Sequence, residues 1–377
     1  MYVTAEYQLI VNCCRRSFDD ARSDLLPVEA NLDWPRVVEL ARFHRVQGLV
    51  AATLRKYGAA IPHLVAQQLY GDSSDIAAQS LAAIAECRRL LAGFHTNNIP
   101  LLFLKGATLA QLAYCNPSLK SAIDIDVLID PAQLNQAAQT LRDLGYLQMF
   151  PVDSAAGRTL EHWHFRSKES VWIKPGSHLH LDLHTRLVDN PALIPSIGIN
   201  SPTQDVELGG GIVLPTLAPD EMFAYLCVHG ASCAWFRLKW ISDLAGLIAR
   251  FESRDIDHLY GRSQDLGAGR AAAQALLLAD HEFGALCNNT ALRVKLLEDR
   301  ANRHLLRAAL RQLHGATGGV EGSKLFATAR MHWTQVFLLP GARFMASEIA
   351  RQIRMALLFR SEISKLKRAR MLSGLPA

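Results

Sequence analysis

Over the first quarter of the chain, apolar residues recur three and four positions apart, as in Trp34, Val37, Val38, Leu40 and Ala41, then Val46, Leu49 and Val50. That spacing places them on one face of a helix. Asp33, ahead of Trp34-Pro35, supplies a side-chain acceptor for the first free amides and a proline in the first turn, so a helix begins there. An alanine- and leucine-rich stretch over 74–94 predicts a second, longer helix. The pattern then changes. Residues 99–104 form a short apolar run suited to a buried strand, ending at Lys105-Gly106 before a helical stretch over 107–114. Residues 123–129 alternate at their start and predict a second strand, followed by a helix over 131–144 that stops at Gly145. Two further strands are expected within 163–172 and one more at 178–184. After Pro215 the helical pattern resumes, with Pro219, Asp220 and Glu221 marking a start and Pro340-Gly341 a break. No solenoid period is present. The expected architecture is α+β: a core over 97–215 between helical regions at 1–96 and 216–377.

Composition narrows the class without choosing a function. Half of the 377 residues are hydrophobic and a fifth are charged, which argues against extensive disorder. A net charge of +5 suits a nucleotide or another anionic partner but does not demand nucleic acid, and no nucleic-acid partner is expected. The seven cysteines are scattered, with no CxxC pair of zinc-ribbon spacing, and are expected to be free thiols in a reducing compartment. The N-terminus lacks the cationic start and apolar run of a secretory signal, and no apolar run reaches the roughly 18 residues that span a bilayer. The expected location is the cytoplasm.

The candidate chemistry sits in the middle of the chain. Asp124 and Asp126 are two apart in a strand, so their carboxylates share a face while Ile123, Ile125 and Val127 turn to the core. Two like charges this close repel and call for a counter-charge, which a divalent metal supplies. Lys105-Gly106 lies at a strand-to-helix turn, where free amides, the helix dipole and a lysine favour phosphate. Residues 178–184 alternate strictly, placing His178, His180, Asp182 and His184 on one face and three leucines on the other. That histidine-rich face admits a zinc site or a set of exposed strand polars. His229 and Cys233, four apart on a helix with no further ligands at suitable spacing, are assigned to packing. A basic amphipathic tail carries Arg351, Arg354, Arg360, Lys365, Lys367, Arg368 and Arg370, and admits peripheral contact with an anionic membrane or a solvated face.

Four blocks in order, covering roughly residues 30–250, carry a resemblance: Leu104-Lys105-Gly106; Asp124-Ile125-Asp126-Val127-Leu128 with Gly145-Tyr146; Asp182-Leu183-His184; and Leu226-Cys227-Val228-His229-Gly230 followed by Arg237 to Leu244. Together they resemble an uncharacterised bacterial nucleotidyltransferase family of the DNA-polymerase-beta-like superfamily. The resemblance implies a small mixed sheet with helices behind it, with Asp124, Asp126 and Asp182 holding Mg2+ or Mn2+. It places Lys105 and Gly106 at the phosphates, with Thr108 offering a hydroxyl and Lys120 standing four residues before Asp124, where the family has arginine. A lysine there loses the bidentate grip. His184, Lys239 and Asp243 are implied as substrate-contacting or supporting residues.

The activity so implied is transfer of a nucleotidyl group from a nucleoside triphosphate such as ATP to an acceptor, a peptide or a sugar intermediate. Alternatives are phosphoryl transfer on the same fold, a non-catalytic nucleotide-binding module, and a zinc hydrolase using His178, His180 and His184.

Overall fold

The computed structural model describes residues 3–19, 28–29, 31–121, 123–152, 160–315 and 333–373, with the side chains of 359 and 361–373 left aside. Thr4 caps helix α1 (Ala5–Arg16) by accepting from the Tyr7 amide. Helix α2 (Trp34–His44) starts where expected, with the Asp33 carboxylate accepting from the Arg36 amide and proline in the first turn. Helix α3 (Gln47–Lys56) follows, then α4 (His63–Thr96), longer at both ends than the 74–94 stretch suggested.

Strand β1 (Leu101–Phe103) leads through the Lys105-Gly106 turn into α5 (Ala107–Tyr114). Then come β2 (Asp124–Ile129), α6 (Leu134–Asp143), β3 (Leu147–Phe150), α7 (Leu160–Arg166), β4 (Glu169–Ile173) and β5 (His180–His184). Two corrections arise here. Residues 163–166 are helical, because Leu160, Trp163 and His164 repeat with the helix period, and Trp163 is tied by its indole N–H to the Glu169 carbonyl at 2.6 Å. His178 lies outside β5, which begins only at His180. Strand β3 and the hairpin β6 (Thr203–Glu207) and β7 (Val213–Leu217) were not anticipated.

The five-stranded sheet has the order β1-β2-β5-β4-β3, with β2 and β5 parallel and the other neighbours antiparallel. Thr216 of the hairpin donates to the Phe103 carbonyl at 2.5 Å, fastening β7 beside β1. Helices α8 (Pro219–Ser232), α9 (Leu238–Ile248), α10 (Ser253–Asp265), α11 (Gly269–Phe283), α12 (Thr290–Glu298), α13 (Arg300–Gly315) and α14 (Ala342–Ser373) follow among the described residues.

Strand alternation divides the sheet into two unlike faces. Ile125, Val127, Ile129, Leu181 and Leu183 pack with Leu90 and Phe94 of α4 and Leu141 of α6. Residues of the opposite phase, Asp126, Asp182 and His184, are left on the other face. Ile123 does not join the core as expected: it precedes the strand and is 39% exposed. A second, larger core runs through α1–α3, α5, α8–α11 and α13, so the helices before and after the sheet share one apolar interior. Among the described residues no helix is long and apolar enough to cross a membrane, and the seven cysteines are free.

Candidate functional site

Parallel pairing of β2 with β5 sets the geometry. Asp124 is in register with His180, Asp126 with Asp182, and Leu128 with His184. Antiparallel pairing of β4 with β5 brings Glu169 opposite His184 and Val171 opposite Asp182. Neighbouring strands lie about 4.8 Å apart, so four acidic and imidazole groups are forced together on one face.

Asp126 is the hub. Its Oδ1 accepts from the Lys105 ammonium at 2.9 Å and lies 3.1 Å from His184 Nε2, which is itself 3.2 Å from Glu169 Oε2. Lys168 pairs in turn with Glu169. Burial opposes the Asp126 charge, but Lys105 and His184 outweigh it and hold the carboxyl well below its ordinary range. Asp182 has no such cation: burial, then the charges of Glu169 and Asp126, push its pKa up to about 8. Ligand atoms of Asp126, Asp182 and His184 all fall within 4.8 Å of one another, while Asp124 lies exposed at the start of β2. His184 Nδ1 and the Tyr225 hydroxyl are buried beside this cluster without a hydrogen-bond partner, and burial lifts the Tyr225 pKa to about 12.

Above the sheet lies a cavity of about 190 Å³ whose walls include Lys105, Gly106, Lys120, Asp124, Asp126 and Lys239. Arg45, Asp243, His229 and Trp240 complete much of its rim. Gly106 has φ +69 and ψ −126, a conformation an L side chain rarely adopts, and it opens the N-terminus of α5 toward this space. Lys120 reaches Asp243 Oδ2 at 2.6 Å, and Asp243 Oδ1 accepts from Tyr114 at 3.0 Å, so a buried carboxylate on α9 fixes this cation in place. Burial and the nearby Lys120 charge lower the Lys239 pKa to about 8. The cavity wall is thus strongly cationic above a carboxylate floor.

The residues singled out in the sequence divide into three groups here. Asp126, Asp182 and His184 converge, and Lys105, Gly106, Lys120, Asp124, Lys239 and Asp243 line the cavity. Thr108 does not offer its hydroxyl to that cavity: it is buried and donates to the Lys105 carbonyl at 3.0 Å, tightening the turn. His178 and His180 are exposed and belong to no cluster of metal-ligating atoms among the described residues, which removes the three-histidine zinc site.

Other assignments shift as well. His229 is not simply packed away; it stands in the wall of this cavity, held neutral by burial and by Lys105 and Lys168. Arg351 is drawn into a pair with buried Glu348 rather than a solvated face, and the side chains of Lys365, Lys367, Arg368 and Arg370 lie outside the described residues. Glu169, Lys168 and Tyr225 were missed. Only the pairing of β4 on β5 brings Glu169 beside His184, and nothing in the local pattern of Ser167-Lys168-Glu169-Ser170 signals it.

A family model described as uncharacterised nucleotidyltransferase matches residues 30–284. The chain belongs to that family. The match spans the sheet, the carboxylates and the helices through α11, which include every element that lines the cationic cavity. No curated protein matches the chain.

Proposed function

We propose that the protein is a divalent-metal-dependent nucleotidyltransferase with a polymerase-beta-like core, moving a nucleotidyl group from a nucleoside triphosphate, with ATP the first to test, to a small acceptor. One observation carries this reading: Asp126 and Asp182 meet on the sheet face beneath a cavity walled by Lys105, Lys120, Lys239 and Arg45. A triphosphate needs that ring of cations, and its metal needs those carboxylates.

The donor set fits Mg2+ or Mn2+. Asp124, Asp126 and Asp182 offer hard oxygen ligands, and an Asp182 carboxyl raised to about 8 by its acidic neighbours is relieved by a positive charge beside it. When bound, such an ion supplies charge neutralisation at the phosphates and acidifies an attacking hydroxyl. The protein's own groups do the rest. Lys105 bridges Asp126 and the phosphates, the α5 amides beyond Gly106 bind phosphate oxygens, and Lys120 is steadied by Asp243. Lys239, only partly protonated near pH 8, gains its full charge as an anion binds. Asp182 is placed to accept the acceptor's proton. His184 aligns Asp126 and Glu169 through one ring nitrogen.

The test is transfer from MgATP labelled at the α- or the γ-phosphorus to a pool of small metabolites, in wild type and Asp126→Asn. Label retained from the α position marks nucleotidyl transfer, and label from γ marks phosphoryl transfer. A loss of about a thousandfold or more is expected in Asp126→Asn. Tight MgATP binding with no transfer of either label would leave a nucleotide-binding module instead.

A further inference from the structure

A second cavity, of about 450 Å³, shares only His229 with the lining of the first and includes none of the cluster carboxylates. It is enclosed by the chain after β5, the end of α8 and the first turns of α14. Two residues tie it to the chemistry. His229 stands in the walls of both cavities, and Lys168, in the wall of the second, pairs with Glu169, which touches His184 and through it Asp126.

The walls define what fits. Leu187, Val188, Leu193, Met355 and Ala356 make them mainly apolar. Their cations are taken up internally: Glu348, 1% exposed, accepts from Asn190 at 2.6 Å and from Arg351 and Gln352 at 2.8 Å, and Lys168 is spent on Glu169, while the Asp189 carboxylate accepts from the Lys168 backbone amide at 3.3 Å. Such a network leaves no unengaged cation among the described wall residues for a phosphate or a carboxylate to meet. The volume is that of a drug-sized ligand, too small for a folded protein or a polynucleotide.

We infer that this cavity binds the acceptor, and that the acceptor is a largely apolar small molecule that bears a hydroxyl group and no anionic group. This rests on the nucleotidyltransferase reading above. Seated there, its hydroxyl points past Lys168 and His229 toward the carboxylates. In the transfer, the acceptor oxygen bonds to the α-phosphorus as the bond from that phosphorus to the bridging oxygen breaks. Pyrophosphate leaves with the electron pair, and the hydroxyl proton passes to Asp182.

The probe is 1-naphthol, a hydroxyl on an apolar body of suitable size, titrated by calorimetry against the full chain. Saturable one-to-one binding is expected, weakened at least about tenfold by Ala356→Trp, which adds bulk from an exposed lining position on α14, and by Val188→Phe from the lining chain after β5. MgATP affinity should move by less than about twofold in either variant, whereas Asp126→Asn should do the reverse. Absence of saturable 1-naphthol binding, or binding indifferent to both variants, overturns the assignment. Nucleotide affinity untouched by Asp126→Asn would instead overturn the nucleotidyltransferase reading, and the two failures are thereby distinguished.

Discussion

Replacing Asp182 by asparagine keeps the polar shape of the side chain and removes the one carboxylate of the cluster that has no cation of its own. Its pKa rises from 3.8 to about 8 on folding, first through burial and then through the Glu169 and Asp126 charges. At pH 7 the unfolded chain has released this proton and the folded chain still holds it. Folding therefore takes up a proton between about pH 4 and pH 8, and stability falls as pH rises through that window. One pKa unit is about 1.4 kcal/mol, so the roughly three units between the ordinary value and pH 7 set a ceiling of about 4 kcal/mol. The Lys168 attraction is already contained in that value, and because the side chain is only partly buried, solvent screening lowers the expected gain to about 1–2 kcal/mol. For a chain of this length that is a rise in Tm of about 1–3 °C. Scanning calorimetry of the metal-free protein should show Asp182→Asn and wild type nearly level at pH 4, a small gap at pH 5, the variant clearly ahead at pH 8, and a constant gap above. Millimolar Mg2+ should close the gap by stabilising wild type alone. A gap of the same size at pH 5 and pH 8, or a variant less stable at pH 8, refutes the reasoning.

Lys105→Ala should weaken MgATP binding by about 1.5–3 kcal/mol in calorimetry. Because Lys105 also pairs with buried Asp126, Tm should fall with it, and Lys105→Arg should restore only part of either loss. Asp243→Ala leaves both the Lys120 ammonium and the Tyr114 hydroxyl without their acceptor, and urea unfolding should register a cost of about 2–4 kcal/mol. Gly230→Ala places a methyl group inside the Trp235 ring, whose indole is held by Gln274, so a destabilisation of about 1–3 kcal/mol with altered tryptophan fluorescence is expected.

Much of the architecture was legible because local patterns encode it. The 107–114 helix, the Asp33 cap and the β2 strand follow from residue spacing and short-range hydrogen bonding, which act over a few positions whatever the rest of the chain does. Asp124-Ile125-Asp126 and Asp182-Leu183-His184 each announce a polar phase on an apolar strand, and alternation alone says which residues share a face. The tertiary structure decided which strand lies beside which. Register set Asp126 against Asp182 and Glu169 against His184, residues 56 and 15 positions apart in the chain, by a pairing that no window of sequence contains. It also reversed the charge logic of the carboxylates. Sequence predicts mutual repulsion, whereas the fold hands Asp126 a lysine and a histidine and leaves Asp182 to bear the repulsion and the desolvation. Electrostatic energies fall off with distance and depend on burial, and both quantities exist only once the chain has folded.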